Sequence, residues 1–121
     1  MSKFVTTQYG ASKEILKFNN FTSVSVTVDG VDIPADGNGK KIVKAGTIVA
    51  GKTKPVLQNS NEPVAKKNGA EAEGVLLTDV DVTYGQAPGS MVIFGFIDVN
   101  KLPEAPTTEA LEALNMIKFL K

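Results

Sequence analysis

Residues 22–28 place Val24, Val26 and Val28 on one side of an extended chain and Ser23, Ser25 and Thr27 on the other. Successive strand side chains point to opposite faces, so this alternation predicts a half-buried strand. The Asp29-Gly30 pair that follows suits a two-residue hairpin turn. Val31 and Ile33 then open a return strand, and Pro34 ends it. Residues 72–85, AEGVLLTDVDVTYG, alternate over a longer span between Gly74 and Gly85. Leu76, Val80, Val82 and Tyr84 take the apolar face, while Asp79, Asp81 and Thr83 take the polar one. A single strand is expected there.

Residues 91–97, MVIFGFI, read differently. They are apolar at nearly every position, which predicts a strand covered on both faces. Gly95 inside it marks a bulge or a close backbone approach. Residues 41–58 read as short strands broken at Gly46, Gly51 and Pro55. Residues 59–73, NSNEPVAKKNGAEAE, read as a polar exposed loop, and GQAPGS, 85–90, as a connector. Near the end, Thr107 suits an N-cap, and Ala110, Leu111 and Leu114 form a short helical face. Ile117 and Phe119 then alternate as a last short strand after Asn115. The sum is a mainly β domain, a small β-barrel or β-sandwich of short strands with one short C-terminal helix.

At 121 residues the chain fits one domain, and its 42% hydrophobic content suggests one compact core rather than two. Residues 1–20 form an N-terminal arm by this reading, and residues 21–121 a single β-rich domain. Apolar runs are too short to cross a membrane, and the N-terminus lacks a secretory h-region, so synthesis in a cytoplasm is expected.

The missing residue types restrict the chemistry. There is no Cys, His, Trp or Arg. The usual nucleophilic thiolate, the neutral-pH general base and the bidentate phosphate reader are therefore absent. Thirteen acidic and thirteen basic residues cancel, which argues against nucleic acid as a partner. Asp79 and Asp81, two apart on a strand, are the best-placed carboxylate pair for glycosidic chemistry. The alternation around them fits a solvated strand face better. Glu71 and Glu73 read as loop residues. The Asp36-Gly37-Asn38-Gly39 turn resembles the start of a calcium loop, but Lys40 and Thr47 occupy positions that need oxygen ligands. No catalytic, cofactor or metal residue is expected, and the chain reads as a binding or structural module rather than an enzyme.

Segments 43–51, VKAGTIVAG, and 72–103 together resemble the pattern of phage capsid decoration proteins. These are the lambda-type head-stabilising proteins and their relatives in phages of Gram-positive bacteria. The resemblance rests on Ala45-Gly46-Thr47, Gly74-Val75-Leu76 and Leu102-Pro103, and covers residues 42–121. It implies a homotrimer at three-fold sites on the outer surface of the expanded phage head, with the major capsid protein as partner and no cofactor. It also implies an N-terminal arm that pairs with the capsid protein. Here that arm would use Phe4, Val5, Ile15, Leu16 and Phe18 as capsid-binding anchors. It has no Pro and more bulky apolar residues than the lambda-type arm. Deleting residues 1–20 is expected to abolish partner binding and preserve the fold. The alternative from another class is a carbohydrate- or receptor-binding module of a phage head or tail fibre, which clustered exposed aromatics such as Phe4, Tyr9, Phe18 or Tyr84 would favour.

Overall fold

A computed structural model describes residues 15–17, 20–31 and 33–120. The protein is mainly β, with a small five-stranded barrel and one short helix. Its strands are β1 (Thr22–Val28), β2 (Ile42–Val43), β3 (Ile48–Gly51), β4 (Val64–Lys66), β5 (Gly74–Leu76), β6 (Val80–Asp81), β7 (Ala87–Asp98) and β8 (Ile117–Leu120). Helix α1 (Thr108–Ala113) precedes β8. The main sheet runs β1-β4-β3-β5-β7-β8, and β1 also pairs with β7. That extra pairing closes the barrel, in which β1 and β4 are joined at the single pair Val28 and Val64. β8 is added to the outside of the ring, parallel to residues 95–98 of β7. β2 and β6 form a separate two-stranded ribbon.

The hydrophobic residues form two cores rather than the expected one. Inside the barrel lie Val26, Val28, Val49, Val64, Leu76 and Met91, joined by Val43, Val80 and Val82 from the β2–β6 ribbon. On the outer face of β3, β5 and β7 lie Ile48, Val75 and Val92. Ile15, Ala110, Leu114 and Ile117 cover them. A strand has two faces, so three short strands that are apolar on both can serve two cores at once. A composition figure does not contain this economy.

β1 forms where the Val/Ser/Thr alternation places it, with Val26 and Val28 buried and Ser25 and Thr27 exposed. The return strand after Asp29-Gly30 does not form. The Asp29 carboxylate accepts the N–H of Val31 at 2.9 Å, and β1 already has β7 and β4 as its two neighbours. Past Val28 the chain stays with β4, where the Asp29 N–H donates to the C=O of Val64 at 2.8 Å. The expected strand 72–85 is split. β5 pairs with β3 and β7, whereas β6 pairs with β2. The alternation survives the split because Leu76, Val80 and Val82 all reach the inner core. Tyr84 does not follow them. The chain turns at Val82, where Gly85 N–H bonds back to Val82 C=O, and leaves Tyr84 99% exposed.

Two more expectations give way. Residues 59–73 contain β4, whose Val64 and Ala65 are buried between β3 and β1. Three residues are too few to show a period. The expected connector 85–90 contributes its last four residues to β7, where Ala87, Pro88, Gly89 and Ser90 pair with β1. Gly95 behaves as expected. Its φ is 155°, and a Cβ there would sit 3.0 Å from the Cβ of Phe21. The register of β1 against β7 also slips nearby, between Thr22 and Ser23, which marks a bulge. α1 and β8 form as read, with Thr107 Oγ1 accepting the N–H of Ala110.

Candidate functional site

The three tripeptide signals far apart in the chain meet in space. The turn Ala45-Gly46-Thr47 carries Gly46 at φ 91°, a conformation that strains a residue with a side chain. A Cβ there would lie 2.9 Å from Leu102 Cδ2 and 2.9 Å from Pro103 Cδ. The Gly46 N–H donates to the C=O of Leu76 at 2.8 Å, and the Leu76 N–H donates to the C=O of Thr47 at 2.9 Å. Thr47 is the buried polar side chain among the described residues, and its hydroxyl donates to the C=O of Lys44 at 2.7 Å. The loop after β2, the strand β5 and the segment after β7 therefore form one junction.

Asp79 belongs to this junction. Its carboxylate accepts the N–H of Ala45 at 2.7 Å and so fixes the entry to the turn. Asp81 does something else. It accepts both the N–H and the hydroxyl of Thr83, which tightens the turn before Tyr84. Those bonds, the Thr83 hydroxyl first, hold the Asp81 carboxyl below its ordinary value. The two carboxylates thus brace two different stretches, Asp79 the entry to the turn at Gly46 and Asp81 the turn before Tyr84.

A groove of about 690 Å³ opens beside the junction. Ile33, Ile42, Ile48 and Pro103 give it apolar walls, and Lys44 and Asp79 lie at its polar positions. Its formal charges balance. Lys66 pairs with Glu104 at 3.0 Å, and Asp36 is occupied by the N–H groups of Asn38 and Lys40. Those two backbone bonds, both to Asp36 Oδ1, lower the Asp36 pKa, Lys40 first. Among the described residues no group of three or more His, Cys, Asp or Glu is placed to hold a metal ion.

Of the expected anchors, Phe4, Val5 and Phe18 lie outside the described residues, as does Tyr9. Ile15 is fully buried in the outer core of its own chain. Leu16 pairs opposite Ile97 and packs against the same core. The bonds Asp98 N–H to Ile15 C=O and Lys17 N–H to Phe96 C=O, both 2.8 Å, continue the β1–β7 ladder toward the N-terminus. Residues 15–17 are thus part of the folded domain.

Glu73 is a residue that sequence reasoning misses. Its carboxylate accepts the N–H groups of Gly51, Val56 and Leu57 at 2.7, 2.8 and 3.0 Å. It shapes the loop after β3 and seats Val56 in the inner core. Nothing in a loop glutamate's neighbours announces this, since its partners are main-chain groups about twenty residues away. Glu71, by contrast, makes a surface pair with Lys67.

Comparison with protein-family models and with curated proteins finds no match.

Proposed function

We propose that the protein is a structural virion protein that binds the outside of an expanded phage capsid and stabilises the shell. In this reading it sits as a homotrimer at three-fold sites, contacts the major capsid protein and performs no catalysis. The observation that carries the reading is the junction. The resemblance to decoration proteins rests on Ala45-Gly46-Thr47, Gly74-Val75-Leu76 and Leu102-Pro103, and these form one contact around Gly46. They act as a tertiary unit, which scattered tripeptides do not.

The physics of a clamp suits such a barrel. A ligand that binds only the mature shell stabilises that state by linkage, and many identical contacts add up over one shell. A rigid barrel with a strand-forming N-terminal segment fits strand addition, where main-chain bonds give affinity and side-chain pockets give selectivity. The carboxylates that invited a catalytic reading, Asp79 and Asp81, are used as structural acceptors.

Co-sedimentation of the purified protein with expanded and unexpanded empty capsids of the encoding phage tests this. Saturable binding to expanded shells alone, at three copies per three-fold site, is the expected result. Absence of binding to either shell overturns the proposal.

One observation favours a glycan- or receptor-binding module instead. Tyr84 is fully exposed on a braced turn. The other described aromatic rings, Phe21, Phe94, Phe96 and Phe119, are half-buried, so Tyr84 has no described aromatic companion with which to form a platform. Loss of glycan retention on Tyr84→Ala in a glycan screen is the result that would select this second reading.

A further inference from the structure

The two cores draw on different parts of the chain. Among the described residues, the buried members of the inner core and the half-buried residues packed on it lie between Val24 and Ile93. The outer core takes Ile15 from one end of the chain, and Ile97, Ala110, Leu114 and Ile117 from the other. Among the described residues, Ile15 and Leu16 thus pack on the outer core and not on the core inside the barrel. They lie along the last part of β7, beyond its final pair with β1 at Thr22 and Phe94. β8 holds the other side of the same stretch, from Gly95 to Asp98.

We infer that residues 15–17 form a strap that leaves β7 while the barrel stays closed. The strap holds the Asp98 N–H through Ile15 C=O, and its Ile15 side chain fills space in the outer core. Opening detaches one short antiparallel segment, whereas opening the barrel breaks the ladders of β1, β3, β4, β5 and β7 together. Sub-global openings of this kind follow the boundaries of packing units. The inference concerns the protein alone and stands whether or not a capsid is its partner.

Native-state hydrogen exchange reads the strap directly. The reporter is the Asp98 amide, and the barrel controls are the amides of Asp29, Leu76 and Leu77, which bond to Val64, Thr47 and Ser90. Asp98 should exchange at least roughly ten-fold faster than the controls, and Ile15→Ala should raise the Asp98 rate again by roughly ten-fold or more without moving the controls. Equal rates at Asp98 and Leu76, or an equal rise at both in the variant, overturns the strap.

A second variant covers the case in which Ile15→Ala unfolds. Leu16 and Ile97 are directly opposed in an antiparallel bridge, a spacing that a disulfide can span, and the chain has no other cysteine. Oxidised Leu16→Cys/Ile97→Cys protein should slow Asp98 exchange into the range of the barrel controls, and reduction should release it. Unchanged Asp98 exchange on oxidation overturns the inference.

Discussion

Ile48 and Val49 are neighbours in sequence and belong to different cores, as do Val75 and Leu76, and Met91 and Val92. The inner core is built from strand faces that a closed ring brings together. The outer core is built on the backs of three of those strands, and the chain ends supply its cover. β1 shows what happens without that cover. Its outer face carries Ser23, Ser25 and Thr27, and two of these three are exposed. The contrast between VSVTV and MVIFGFI is thus a record of which strand receives a second layer. An uncovered face must be polar, and a covered one is stabilised by about 25 cal/mol for each Å² of apolar surface removed from water.

The comparison breaks most visibly under truncation of matched leucines. Leu76→Ala, at the centre of the inner core, should cost about 4 kcal/mol and destabilise both cores, because the outer one has no platform without the barrel. Leu114→Ala in the outer core should cost about 2–3 kcal/mol and leave the barrel amides protected. Urea unfolding with hydrogen exchange measures both. Equal losses in a single cooperative transition would merge the two cores into one unit.

The N-terminus sharpens the same contrast. Removal of residues 1–14 leaves Ile15 in place, and removal of residues 1–17 takes it away. The longer deletion should lower stability by about 2–3 kcal/mol more than the shorter one, as read by urea midpoints. The expectation that residues 1–20 can be deleted with the fold preserved is thereby narrowed. A clean test of partner binding should stop before Ile15.

Smaller effects separate the two aspartates. Asp79→Ala strands the part-buried N–H of Ala45 and should cost about 1–3 kcal/mol. Asp81→Ala frees an exposed turn and should lower the urea midpoint less than Asp79→Ala does. In the outer layer, Thr107→Ala removes the helix cap and should cost about 1 kcal/mol, with α1 fraying seen by exchange of the Ala110 amide.

The smallest expected effect is acid dependence at the end of β1. Asp29 accepts from Gln86, Lys52 and Val31, and its carboxyl is lowered below the usual 3.8, with the Gln86 bond as the largest cause. A lowered folded value means that the stabilisation is fully present above the unfolded pKa and is lost as pH falls through the folded one. Stability below about pH 4 should therefore fall less steeply in Asp29→Asn than in the parent. An identical acid limb in both proteins would assign the acid loss to other carboxylates.

Much of the fold is legible in the chain. Alternation marks β1, a continuous apolar run marks the second half of β7, and cap chemistry marks α1 through Thr107. The three tripeptides of the junction stand out by type, yet their meeting does not, because it depends on a turn at Gly46 pressing against residues more than fifty positions later. Roles that consist of a side chain accepting distant main-chain N–H groups are the least visible. Glu73 and Asp79 read as solvated carboxylates, and each fixes the path of another segment. β4 is hidden for a related reason, since Val64 and Ala65 become a strand through two neighbours rather than through their own pattern.

The sequence by itself determined which strand faces are apolar, where the chain must turn and that the domain is mainly β. These follow from side-chain alternation and from the backbone freedom of single residues, which are local properties. Tertiary structure alone decided that β1 pairs with β7 and closes a ring, that the strand 72–85 divides between two sheets, and that Ile15 is drawn into the outer core. Those outcomes depend on which edges and apolar faces are still uncovered when the rest of the chain has packed, and no local window carries that information.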